Sequence, residues 1–149
     1  MSNLSLREQI ADNLVQLVQT LESPRVVIVT REPFEPTRLA ITDFPAVLVN
    51  MDSEERETIT MGVTSTGRRM GTIKFGIRGY VRGTELDRLR NELITGLETI
   101  LDADRYLGLY TSGVTDSQIR VIEVIARNPP LAEIKIEFDV KYNYVRGAA

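Results

Sequence analysis

The chain has 149 residues, with 18 Lys and Arg against 21 Asp and Glu, a formal net charge of -3, and no His, Cys or Trp. These absences exclude Ser-His-Asp and Cys-His catalysis, His/Cys zinc sites, thiol redox chemistry and disulfides. They also leave no side chain that ordinarily titrates near neutrality, so acid–base chemistry would need a strongly shifted carboxylate, Lys or Tyr, and no enzyme, cofactor or metal site is expected. The length suits a single domain over 1–149 with one real core. The longest apolar runs, Val26 to Val29 and Ala46 to Val49, are far short of the roughly 20 residues of a membrane-spanning helix. The first residues lack an apolar stretch behind a basic start, so no signal peptide is expected.

Ser5-Leu6-Arg7-Glu8 forms a capping-box pattern, and Leu6, Ile10, Leu14, Leu17, Val18 and Leu21 recur at helical spacing; this predicts a helix over 5–22, ended by Pro24. Arg25 to Thr30 reads as a short strand. Residues 31–44, with Pro33 and Pro36, read as a loop, and Pro45 to Met51 as a buried strand. Asp52 to Glu55 reads as an acidic connection. Period-two alternation on both sides of Ser65-Thr66-Gly67-Arg68 predicts a long hairpin. Its return arm places Ile73, Phe75, Ile77 and Val81 on one face and Thr72, Lys74, Arg78, Tyr80 and Arg82 on the other. Gly71, Gly76, Gly79 and Gly83 along that arm mark either bulges or close neighbours. Thr84 reads as the cap of a second helix over 84–102, with Asp87 three residues on and a Leu/Ile stripe from Leu86 to Leu101. Residues 108–117 read as a loop and Ile119 to Arg127 as a strand. The final strand alternates most clearly. Ile134, Ile136, Phe138, Val140, Tyr142 and Tyr144 face one way, and Glu133, Lys135, Glu137, Asp139, Lys141 and Asn143 the other, which predicts one solvated face.

The order predicts an α+β domain: a mostly antiparallel sheet, two helices packed on one face and a long projecting β-hairpin. Charge is segregated along the chain. Residues 56–82 carry six basic groups and one acid, a local +5, and follow an acidic stretch at Asp52, Glu54 and Glu55. Lys74, Arg78 and Arg82 share a strand face, with Arg68 and Arg69 at the turn. The face is either solvated or a surface for an acidic protein partner, with phosphate contact a third reading. Glu54, Glu55 and Tyr144 complete the candidate interface. The acidic run lacks the EF-hand spacing and reads as a solvated turn. Asp102 and Asp104, like Glu54 and Glu55, read as surface acids rather than a catalytic pair.

The layout resembles the tail terminator (tail-completion) proteins of long-tailed bacteriophages. The resemblance rests on the helix Leu6 to Leu21, the proline-led strand Pro45-Ala46-Val47-Leu48-Val49, the long hairpin returning through Ile73 to Val81 and the helix Glu85 to Leu101. It continues through Leu101-Asp102-Ala103-Asp104-Arg105-Tyr106-Leu107-Gly108 and the final strand ending Val140-Lys141-Tyr142. It implies a homohexameric ring that caps the head-proximal end of a tail tube. The implied partners are further copies of the chain, the tail tube protein and the head–tail connector, with DNA passing through the ring and no membrane. The implied location is the virion, reached from the host cytoplasm. Another neck component of the same fold, or a small ligand-binding or regulatory module, are the alternatives. The basic hairpin is expected to meet an acidic patch on a neighbouring subunit or the tube.

Overall fold

The computed structural model describes residues 5–56 and 68–145. The outgoing arm and turn expected over 58–67 lie outside the described residues. Helix α1 spans Leu6–Gln19 and begins as expected: the Ser5 hydroxyl accepts the Glu8 N–H at 3.3 Å. It stops three residues earlier than the periodicity suggested. The Thr20 N–H closes onto Gln16 and Leu17, and Glu22 bridges Arg25 around Pro24. Only Ile28–Thr30 of the next apolar run is strand (β1), parallel to Ala46–Leu48. Residues 31–44 form a loop with two single 3-10 turns, at Pro36–Arg38 and Ile41–Asp43.

Strand β2, Ala46–Arg56, runs on through the acidic stretch that had read as a connection. A β-bulge accounts for the difference. Met51 pairs with Phe75 and Ser53 with Lys74, leaving Asp52 as an extra residue. The extra residue inverts the alternation, so the helix-facing series Val47, Val49 resumes beyond the bulge as Glu54. Strand β3, Arg68–Arg82, pairs with β2 and with the final strand β5, Leu131–Val145, both antiparallel. Strand β4, Val114–Ile125, takes up the end of the expected 108–117 loop and lies outside β5, giving the order β1-β2-β3-β5-β4. The fold is thus α+β, with a mostly antiparallel five-stranded sheet.

Helix α2 spans Leu86–Leu101. Thr84 is not its cap. Glu85 is, in the left-handed region at φ 56° and with no capping hydrogen bond from its side chain, because the turn leaving β3 through Gly83 (φ 149°) delivers the chain there. Ile10, Leu14 and Val18 of α1 and Leu93, Leu97 and Leu101 of α2 pack on Val47, Val49, Phe75, Ile136 and Phe138, all buried. Each such side chain contributes about 1.5–3 kcal/mol of transfer free energy. A smaller cluster covers part of the opposite sheet face, where Phe34, Leu39 and Phe44 of the 31–44 loop lie on Ala46, Leu48, Tyr80 and Leu131.

The β3 glycines are places of close approach rather than bulges. A Cβ on Gly71 would stand 2.6 Å from the Tyr142 ring, on Gly79 2.7 Å from Leu93 Cδ2 and on Gly76 2.9 Å from Asp52 Oδ2. The buried part of the sheet reaches Tyr142, opposite Gly71. Beyond it β3 and β5 continue paired through Arg68 and Val145.

Candidate functional site

The sheet face away from the helices carries most of the residues singled out in the sequence. There the basic charge of β3 meets acids from its neighbours. Lys74 Nζ lies 3.2 Å from Glu55 Oε1 on β2, and Arg78 Nη1 lies 2.6 Å from Glu133 Oε2 on β5. Lys135 Nζ reaches Asp52 Oδ2 at 3.2 Å. Within the segment that counts as +5 along the chain, Lys74 and Arg78 are thus paired across the strands. Among the described residues Arg82 has no ion-pair partner. The side chains of Arg68 and Arg69 lie outside the described residues; their backbone pairs with Val145 and Tyr144.

The polar row of β5 is not uniformly solvated. Glu133 is 1% exposed and Asp139 5%. Glu133 is satisfied from both sides, by Arg78 and by Arg127 Nε at 2.8 Å. Among the described residues the ion-pair partner of Asp139 is Arg120, with its Nε at 3.8 Å, and burial pushes the carboxyl above the usual range against the pull of Arg120 and Lys74. Neither acid stood out in the alternation, because its neutralising partners lie on other strands.

Glu54 and Glu55 part company at the bulge. Glu55 is exposed beside Lys74, whereas Glu54 turns to the helix side and is 11% exposed. Its carboxylate accepts from Arg7 Nε and, at 3.2 Å, Arg7 Nη2 of α1, from Arg56 Nε at 3.0 Å, and from the Tyr142 hydroxyl of β5. Burial alone would raise its pKa. The hydrogen bonds from Arg7, Tyr142 and Arg56 outweigh that and bring it to about 2. Arg56 also lies over the Tyr144 ring, 4.4 Å from its centroid, and Tyr144 packs on Tyr142 with centroids 5.6 Å apart. Tyr142 is therefore core, as its position in the alternation implied, and Tyr144 is half-buried beside it. This clamp ties helix α1 to β2 and β5 where the sheet leaves the core. Its chemistry is structural: a low-pKa carboxylate held by two guanidiniums is a poor proton donor or acceptor near neutrality.

The sheet has two open edges on opposite sides. Among the described residues strand β4 has a partner only in β5, and it exposes Ile122 (40%) and Val124 (60%). On the far side β1 covers only Ala46–Leu48, so among the described residues β2 from Val49 to Arg56 is paired on one side only. A groove of about 310 Å³ opens where the β4–β5 turn meets the 31–44 loop, lined by Pro36, Arg82, Arg127, Pro129, Pro130 and Leu131 among others. Sequence reading missed the edge and the groove. Ile122 and Val124 were a visible signal, since they flank the charged Glu123, but strand order decides which strand is the edge.

Among the described residues there is no group of three or more acids placed to hold a metal ion. No described helix is long and apolar enough to cross a membrane. Neither a family model nor a curated protein sequence matches the chain. Among solved structures, the chain is similar to one from the virion of a native gene transfer agent (GTA) particle, with a TM-score of 0.47 and 12% identity, over 88% of this chain and 84% of that one.

Proposed function

We propose that the chain is a structural virion protein of the tail-terminator kind, closing into a ring, a hexamer by the resemblance, on the head-proximal end of a phage tail tube. In this reading the ring ends tube polymerisation and offers its other face to the head connector, and DNA passes through without sequence-specific contact. The role is non-catalytic and needs no cofactor. The observation that carries the reading is the pair of open edges on opposite sides of one sheet. An unpaired edge is a template for another strand, and soluble monomers usually blunt it with Lys, Pro or a covering segment. Strand β4 contains neither Lys nor Pro, and past its bulges at Val114/Asp116 and Ile119/Val121 it exposes Ile122 and Val124 around the one charge of Glu123. Two different edges on one subunit suit a head-to-tail contact, which generates a ring when the rotation closes.

The order of elements along the chain supports the same reading. The internal pairing of Lys74, Arg78 and Glu54 moves the proposed contact away from the basic β3 face and onto the edges. Electron microscopy of the purified protein, alone and mixed with tail tube protein, tests it. Rings, or tubes capped at one end, are expected; isolated small particles and tubes of unregulated length refute it.

A further inference from the structure

At the end of the sheet where β3 leaves for α2, three guanidiniums gather: Arg78, Arg82 and Arg127. The buried carboxylate of Glu133 serves two of them, through Arg78 Nη1 at 2.6 Å and Arg127 Nε at 2.8 Å. The other nearby acid is Glu35 of the 31–44 loop. Its Oε1 is engaged by the Thr37 backbone N–H at 3.3 Å and the Thr37 hydroxyl at 3.0 Å. Arg82 is half-buried and has no hydrogen-bond or ion-pair partner among the described residues. Arg82, without a partner among the described residues, lines the groove together with Arg127.

Beside Thr37, Arg127 and Asn128, the rest of the groove is walled by Pro36, Pro129, Pro130 and Leu131. Pro36, Pro129 and Pro130 contribute no N–H, the Pro130 carbonyl is taken by the Gly83 N–H at 3.0 Å, and the Asn128 carbonyl by the Leu131 N–H at 3.1 Å. What fits is an anionic head on an apolar body. A guanidinium fork matches a carboxylate bidentately, and walls fixed by proline need little ordering on binding. A nucleic-acid strand would instead need cations spaced along its backbone and aromatic faces for stacking. Here Arg78 and Arg127 are already paired with Glu133, and the Tyr80 ring is 4% exposed beneath Arg127.

We propose that this groove is a docking site for an acidic peptide segment of a protein partner, with an Asp or Glu side chain on Arg82 and a flanking apolar residue against Pro129, Pro130 and Leu131. The site is separate from the open edges and holds whether or not the chain closes into a ring.

The test is an NMR titration of the purified protein, following backbone amides and the Arg Nε–H signals. The probes are an acetylated, amidated Leu-Asp-Leu-Asp peptide, its Leu-Asn-Leu-Asn counterpart and inorganic phosphate. Saturable shifts centred on Arg82, Asn128 and Leu131 are expected with the Asp peptide and not with the Asn peptide. Loss of a charge-assisted pair predicts binding about tenfold weaker, or more, in Arg82→Gln. Should that variant not fold, the two peptides on the unaltered chain still decide. No saturable shift, equal binding of the Asn peptide, undiminished binding by folded Arg82→Gln, or phosphate binding as tightly as the Asp peptide overturns the proposal.

Discussion

Glu54→Gln keeps the shape of the clamp and removes its charge. In the folded chain the Glu54 pKa falls from 4.5 to about 2. At about 1.4 kcal/mol per unit, the hydrogen bonds from Arg7, Tyr142 and Arg56 make the ionised carboxylate worth about 3 kcal/mol net of its burial cost. A carboxylate with a depressed pKa stabilises the fold fully above its unfolded value. That stability is lost as pH falls from 4.5 through about 2. Glutamine has no such dependence. The stability gap between the two proteins is therefore predicted to be about 3 kcal/mol at pH 7 and to shrink to about 1 kcal/mol at pH 3. Urea unfolding followed by far-ultraviolet circular dichroism at both pH values measures it. A gap below about 0.5 kcal/mol at pH 7, or one of the same size at pH 3, would refute the reasoning.

Three further substitutions probe the scaffold. Gly71→Ala puts a methyl 2.6 Å from a Tyr142 ring whose hydroxyl is anchored on Glu54, and a loss of about 1–3 kcal/mol is expected by the same unfolding assay. Arg78→Ala leaves Glu133, 1% exposed, with Arg127 alone, and a cost of about 2 kcal/mol is expected in thermal unfolding. An unchanged midpoint would mean that water, not Arg78, holds that carboxylate. Ser5→Ala removes the hydroxyl that accepts the Glu8 N–H, at about 1 kcal/mol, and lowers helical ellipticity first as α1 frays.

Local chemistry was legible in the sequence. Ser5 and the stripe Ile10, Leu14, Val18 placed α1, and strict alternation placed β5 and the inward face of β3. What escaped depends on neighbours distant in the chain. One bulge at Asp52 turned an apparent acidic turn into strand and swung Glu54 onto Arg7, 47 residues away, a contact that no local pattern encodes. The +5 count along 56–82 had the same blind spot. Glu55 on β2 and Glu133 on β5 neutralise Lys74 and Arg78 only once the strands are side by side. Glu133 and Asp139 followed the polar rhythm of β5 yet are buried, Glu133 under Arg78 and Arg127 and Asp139 beside Arg120, side chains from neighbouring segments. Thr84 had the composition of a cap, but the left-handed turn at Glu85 sets where α2 begins.

The central claim is assembly through the open edges of the sheet. Sedimentation velocity of the unaltered chain beside Val124→Lys tests it most directly, because Val124 is 60% exposed on β4 and its replacement removes no buried contact. The account predicts a particle several times 16.8 kDa for the unaltered chain, alone or on tail tube protein, and a folded 16.8 kDa monomer for the variant. A chain that stays monomeric in both settings, or a Val124→Lys protein that assembles as readily as its parent, would contradict it.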